Sequence, residues 1–229
     1  MVALAAGALL GSLAALVSGA GGETAVTARV LDRGGLGPRI VGDAEKVVDR
    51  AFARSGVTFV WRSCDPTGDL VRDGCVGPAG PRDVSIRIAG RDPGTGGRAA
   101  AIEGGCAIAL RVWANSGIVY VYSDRVQSVA QEGNVPPALV LGTIVAHEIG
   151  HLLLPGGHAP RGLMRALITR REWTLAEEGR LEFTPVQVDE LRGAAGPVLP
   201  GPGTSQEQDS CGEDEPCVAS SLKGRDGGG

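Results

Sequence analysis

Two histidines four positions apart, at the centre of a long apolar run, constrain this chain more than any other feature. The run reads PPALVLGTIVAHEIGHLLLPGGHAPRGLM over residues 136–164 and includes His147 and His151. In a helix, side chains four positions apart lie one turn apart on the same face, so two imidazoles at this spacing can bind one metal ion. Glu148 lies between them, where it is well placed to act as general base on a metal-bound water.

The sequence around this pair predicts a buried helix. Pro136 and Pro137 suit a first helical turn, and Asn134 is a candidate N-cap. From residue 138 to residue 154 the run is apolar on nearly every face, which is typical of a helix enclosed by a core. Buried imidazoles and carboxylates cost several kcal/mol each without a partner, and a metal ion would supply that partner.

The third histidine of the chain, His158, follows directly after the Pro-Gly-Gly of residues 155–157. Proline and glycine end the helix there, so the returning chain can bring His158 towards the metal. Three protein ligands and one water are the pattern of a catalytic zinc site, whereas a structural zinc site is closed by four protein ligands. We therefore expect one Zn²⁺ per chain, bound by His147, His151 and His158.

The motif HEIGHLLLPGGH followed by Gly-Leu-Met resembles that of the metzincin zinc peptidases, whose pattern is HExxHxxGxxH followed by a methionine turn. The resemblance implies that His147, His151 and His158 are the zinc ligands and that Glu148 is the catalytic base. It also implies that Met164 forms the methionine turn beneath the metal. The third histidine comes one residue later than in the family pattern.

The expected fold class is α+β and metzincin-like, with a twisted mixed β-sheet packed on a long central helix that carries HExxH and with a short C-terminal helix. Alternating and β-branched residues predict about five strands. These strands cover residues 24–31, 57–61, 83–89, 106–113 and 117–122. In metzincin-like folds a strand in this part of the chain lies at the sheet edge and pairs with extended substrate. The resemblance gives that role to residues 117–122 or to residues 106–113.

Helices are predicted at residues 43–55, 124–131 and 184–192, in addition to the histidine helix. Asp43 is the expected N-cap and Gly56 the expected C-cap of the first. Asp124 and Gln127 form an approximate capping box, and Thr184 precedes a proline at the first position of the last helix. The order of strand, helix and strand over residues 24–61 predicts a parallel pair of strands.

The function expected from the motif is that of a secreted zinc-dependent peptidase, which hydrolyses peptide bonds through a zinc-bound water activated by Glu148. A non-catalytic, exported metal-binding module of metzincin-like fold is the alternative. A further alternative replaces His158 as third ligand by one of three carboxylates, Glu172, Glu177 or Glu178. Tyr120 and Tyr122 are candidates for stabilising the oxyanion, with ordinary packing as the competing interpretation.

The chain divides into three segments by composition. Residues 1–22 carry no charged side chain and resemble a signal peptide, with a membrane anchor over residues 1–17 as the alternative. Residues 23–195 are expected to form a single metallopeptidase-like domain, and residues 196–229 a disordered tail rich in Gly, Pro and acidic residues. We expect a monomer that is secreted or held in the periplasm or cell envelope.

Charge and cysteine content add two further expectations. A net charge of −4 argues against binding to nucleic acid or to a membrane after signal cleavage, and the expected partner is a peptide or protein substrate. Cys64 and Cys75 flank a Pro/Gly/Asp-rich loop, and a disulfide across it would stabilise the fold by about 3 kcal/mol. Cys211 and Cys217 are a second candidate pair, which leaves Cys106 as a buried free thiol.

Overall fold

The fold is built on a five-stranded sheet whose order is β2-β1-β3-β5-β4. The computed structural model describes residues 24–70, 75–77, 80–91, 107–113 and 116–194. The strands are β1 (Thr24–Asp32), β2 (Val57–Cys64), β3 (Asp83–Ala89), β4 (Ala107–Trp113) and β5 (Ser116–Tyr122). Strands β2, β1, β3 and β5 are parallel, and β4 pairs antiparallel with β5 at one edge. The five predicted strands are present, but four parallel strands make this a mixed α/β fold rather than the predicted α+β class.

Five helices are described alongside the sheet. They are α1 (Pro38–Phe52), α2 (Ser123–Gly133), α3 (Pro137–Leu153), α4 (Arg170–Glu177) and α5 (Pro185–Ala194). Helix α1 connects β1 to its parallel neighbour β2, which confirms the predicted parallel pair. Helix α3 carries the HExxH motif, and its residues from Leu139 to Leu153 are all buried.

The main core lies between one face of the sheet and the two longest helices, α1 and α3. Alternation along the strands points Val30, Ile86 and Ile88 towards this face. A small cavity between Val41 of α1, Val145 of α3 and these three strand residues shows that both helices cover the same side of the sheet. The helices cross closely at Gly142, where a Cβ atom would lie 2.7 Å from the carbonyl oxygen of Ala44. The sheet and α1 therefore both pack against α3, which is buried as its apolar sequence predicts.

The opposite face of the sheet holds a smaller apolar cluster around the disulfide. Cys64 and Cys75 are bonded to each other, as predicted, and pack with Leu31 and Leu70. The loop after β2 is thereby held against the end of β1. Cys106, Cys211 and Cys217 lie outside the described residues, as do residues 1–22 and 196–229, so the predictions for those segments stay predictions.

Several helix boundaries differ from the predictions, and one of them is the C-cap of α1, which is Ala53 rather than Gly56. Helix α1 begins at Pro38 rather than residue 43, because the prediction overlooked that proline as a first-turn residue. Asn134 has φ 51° and is the C-cap of α2, whereas Pro136 is the residue before α3. Helix α2 begins at Ser123 without a side-chain cap, so the predicted capping box of Asp124 and Gln127 is wrong.

No helix among the described residues combines the length and the apolar character that a membrane crossing requires.

Candidate metal centre

Helix α3 brings His147 and His151 together on one face, inside the core. Each residue is only 4% exposed, because the helix is covered by the sheet, by α1 and by the chain that returns after it. The centroids of the two rings are 4.8 Å apart. Their Nε2 atoms face one another at 3.1 Å, so both nitrogens point at the same region of space.

His158 reaches the same region from the loop that follows α3. The helix ends at Leu153, and Leu154 takes up an extended conformation with ψ 145°. The loop closes on itself where the Ala159 N–H donates to the carbonyl oxygen of Met164 at 2.7 Å. The ring centroid of His158 then lies 5.3 Å from that of His147 and 4.9 Å from that of His151. The three predicted ligands are therefore neighbours in space.

The three imidazoles form a donor set that could hold a metal ion. One nitrogen from each ring can be chosen so that all three atoms lie within 4.8 Å of one another. A tetrahedral zinc ion with bonds of 2.0–2.1 Å requires ligand nitrogens about 3.3 Å apart. The pair on the helix is already close to this separation at 3.1 Å, and the exposed His158 would have to approach the pair to complete the set. The geometry supports a cation that binds imidazole; it does not identify the metal.

The ring of His147 is oriented by a backbone carbonyl group. Its Nδ1 lies 2.8 Å from the carbonyl oxygen of Leu163, and because that oxygen can only accept, Nδ1 carries the proton. The lone pair is then on Nε2, the nitrogen that faces His151. Burial lowers the pKa of His147 to about 4, although the hydrogen bond to Leu163 opposes this shift. The ring is therefore neutral at pH 7, as metal binding requires.

Glu148 is a buried carboxyl group on the same helix, next in sequence to His147. It is 4% exposed, and its Oε2 has no hydrogen-bond partner among the described residues. Burial raises its pKa to about 8, because nothing nearby compensates the loss of water around the charged form. A buried polar atom without a partner is costly, and a cation or a bound water at the histidines would relieve that cost.

Met164 lies beneath the helix turn between the two helical histidines. It is fully buried, and a Cβ atom on Gly150 would overlap its sulfur. Gly150, the glycine of the HEIGH sequence, therefore makes room for the methionine sulfur. The role of Met164 as a methionine turn beneath a metal stays a prediction.

The alternative third ligands do not join the histidines. Glu172 is buried and caps α4: its side chain accepts hydrogen bonds from the Thr169 N–H at 3.0 Å and from the Thr169 hydroxyl. Its other oxygen accepts from Arg165 at 2.8 Å. Glu177 and Glu178 are exposed on the same helix and belong to no such group with the histidines. His158 is thus the third donor that the described residues supply.

The two candidate tyrosines have other surroundings. Tyr120 alternates with Val119 and Val121, which face the core, so its side chain is on the opposite face of the sheet from α3. There its hydroxyl accepts a hydrogen bond from Arg87 at 2.9 Å. Tyr122 is buried at the junction of β5 and α2. The packing interpretation is therefore the better one for Tyr120.

Strand β4 lies at one edge of the sheet, next to β5. Strand β5 is enclosed by β3 and β4, whereas β4 is paired on one side only by the described residues. Of the two candidate strands for substrate pairing, residues 117–122 are therefore excluded as an edge, and β4 remains.

Sequence reasoning missed the carbonyl of Leu163 and the structural role of Glu172. The first carried no signal, because a backbone acceptor has no sequence signature. The second did: Thr169 and Glu172 have the S/T-x-x-E spacing of a capping box.

No protein-family model matches this chain, and the search of curated proteins finds no match either.

Proposed function

We propose that the chain is an exported zinc-dependent endopeptidase of metzincin-like fold. The observation that carries the proposal is the meeting of three imidazoles, two of them on a helix that also carries a buried glutamate, Glu148, whose Oε2 has no partner among the described residues. A structural metal site has no need of such a carboxylate, whereas a hydrolytic site does. The disulfide is consistent with an oxidising compartment outside the cytoplasm.

His147, His151 and His158 would hold the ion, and Glu148 would act on a water that the ion activates. Zinc in that place would polarise the scissile carbonyl group and lower the pKa of a water molecule. Glu148 would take the proton from the attacking water while the water oxygen bonds to the carbonyl carbon. The same carboxyl group would then pass this proton to the amine nitrogen as the C–N bond breaks.

Substrate orientation is assigned to the antiparallel edge strand β4. An extended peptide added to the side of β4 that no described strand pairs would be fixed by main-chain hydrogen bonds, which do not depend on the peptide's sequence. The proposed partner is therefore a peptide or an unfolded protein segment bound to a monomeric enzyme.

Replacing Glu148 by Gln separates zinc binding from hydrolysis. The wild-type protein and the variant are loaded with zinc, and hydrolysis of an unfolded protein such as casein is followed by the release of new amino termini. We expect the variant to retain one zinc per chain and to lose at least about 1000-fold in the rate of hydrolysis. Glu177→Gln, an exposed glutamate on α4, is the matched control and should cleave at the wild-type rate.

Two outcomes contradict the proposal. Cleavage that survives Glu148→Gln would show that another group activates the water. A wild-type protein that binds zinc tightly and cleaves no peptide would favour the alternative, a non-catalytic metal-binding module.

A further inference from the structure

The short segment between α4 and α5 contacts two residues that border the candidate metal centre, Leu163 and Gly150. Residues 181–184, here called the supporting segment, include Leu181 and Phe183, which are 7% and 4% exposed. Its backbone receives a hydrogen bond at 2.9 Å from the Leu163 N–H to the carbonyl oxygen of Glu182. The carbonyl group of the same Leu163 orients the His147 ring. One residue therefore joins the supporting segment to a candidate metal ligand.

Phe183 makes a second connection through the methionine. A Cβ atom on Gly150 would lie 3.1 Å from Phe183 Cε1 and 3.2 Å from Met164 Cε. The phenylalanine edge and the methionine therefore flank the same point of α3, one residue before His151. Thioether and aromatic groups attract each other in such arrangements, and neither side chain has free volume to turn.

A third connection fixes Phe183 to the rest of the fold. Its ring centroid is 4.7 Å from that of Phe52 on α1, and Phe52 is in turn 5.1 Å from Phe59 on β2. These are all three phenylalanines of the chain, in one row that leads from a sheet edge to the metal centre. A ring held this way is a rigid support.

We propose that Phe183 is a positioning residue for the metal centre, holding Met164 and the Leu163 carbonyl group so that the His147 ring presents Nε2 to the ion. This inference depends on the proposed metal binding for its function, but the orientation of the ring is a property of the metal-free protein as well. Binding sites need such supports because an error of about 0.5 Å in ligand position weakens coordination.

The test compares Phe183→Leu with Phe59→Leu, the same change at the opposite end of the row. In the metal-free proteins, long-range ¹⁵N–¹H spectra report which ring nitrogen of His147 carries the proton. We expect Nδ1 to be protonated in the wild type and in Phe59→Leu, and a mixture of tautomers in Phe183→Leu. Phe183→Met, whose longer and unbranched side chain adapts to an irregular space, gives the same comparison if the leucine variant does not fold.

Zinc competition with a chelator and the visible spectrum of the Co²⁺-loaded protein supply the second measurement. Phe183→Leu should bind zinc about 10–100-fold more weakly and change the Co²⁺ spectrum, whereas Phe59→Leu should stay within about threefold of the wild type. Equal tautomers and equal affinities in the two variants would overturn the inference. If the wild type binds no zinc but the tautomers differ as expected, the proposed function fails and the positioning role stands.

Discussion

Two buried glutamates, Glu148 and Glu172, have opposite environments within one fold. Both are at most 6% exposed. Glu172 accepts hydrogen bonds from Thr169 and Arg165, whereas the Oε2 of Glu148 has no partner among the described residues. Burial alone would raise the pKa of both groups; at Glu172 the hydrogen bonds from Thr169 and Arg165 outweigh burial and lower it.

This comparison separates a carboxylate that stabilises structure from one that is available for chemistry. Glu172 completes a capping box at the start of α4, and its charge is compensated where it lies. Glu148 is next in sequence to His147 on α3, and no described residue donates a hydrogen bond to its buried Oε2. Three experiments test this distinction, and they begin with the largest expected effect.

The metal-free protein should become less stable as the pH rises, because of Glu148. Its pKa is about 8 in the folded protein, against 4.5 for an unperturbed glutamate, so only the unfolded chain loses the proton between these pH values. Glu148→Gln cannot titrate, so its advantage over the wild type should grow from near zero at pH 4 to about 3–5 kcal/mol at pH 9.

Urea unfolding in the presence of a chelator measures this difference. Glu172→Gln is the control and should show the opposite sign at pH 7, since it removes a carboxylate that the fold stabilises. If the stability advantage of Glu148→Gln does not change with pH, the Glu148 carboxylate has a partner in solution. Its environment then does not differ from that of Glu172 in the way described.

Removal of the third donor should weaken zinc binding more than removal of the cap. His158→Ala should lower the zinc affinity at least about 100-fold, because it takes away one of three ligands. Glu172→Ala should change the affinity by less than about threefold while lowering the free energy of unfolding by about 1–3 kcal/mol. Competition with a chromophoric chelator gives the affinities. A loss on Glu172→Ala as large as that on His158→Ala would restore Glu172 as a ligand.

Arg165→Ala should produce the smallest effect and only above acidic pH. Arg165 is partly exposed and pairs with Glu172 at 2.8 Å, so its loss should cost about 0.5–1.5 kcal/mol at pH 7. The pKa of Glu172 is lowered in the folded state, so the stability it contributes is fully present above 4.5, the pKa of an unperturbed glutamate, and is lost as the pH falls through the lower pKa of the folded protein.

The cost of Arg165→Ala should therefore shrink as the pH falls from 7 to 3. Thermal unfolding at pH 7 and pH 3 measures it, with Arg180→Ala, whose pair with Glu178 is exposed, as the control. A cost that persists unchanged in acid would mean that Arg165 acts through packing rather than through the carboxylate.

The elements that a local pattern of apolar residues marks could be predicted from the sequence. The alternation of Val84, Ile86 and Ile88 gave a strand, and the apolar run around His147 gave a buried helix, because both patterns are local. The convergence of His158 was also predictable, since the Pro-Gly-Gly that precedes it ends the helix and reverses the chain.

Other features depend on contacts between distant segments and could not be predicted this way. The hydrogen bond from His147 to the Leu163 carbonyl group has no side-chain signature, and the approach of Phe183 to Gly150 joins residues 33 positions apart. The start of α1 was missed because Gly42 breaks its apolar pattern, although Pro38 marks the first turn. Sheet order decides that β4 rather than β5 is the edge strand, and sheet order is a tertiary property.

The central claim is that three imidazoles bind one zinc ion beside Glu148, and X-ray absorption at the zinc K-edge tests it most directly. The protein is loaded with zinc, dialysed, and measured for metal content and for the scattering atoms around the metal. We predict about one zinc per chain with three imidazole nitrogens at roughly 2.0–2.1 Å and one further oxygen or nitrogen ligand. Zinc that is lost on dialysis, or that is surrounded by sulfur or by fewer than three imidazoles, would contradict the claim.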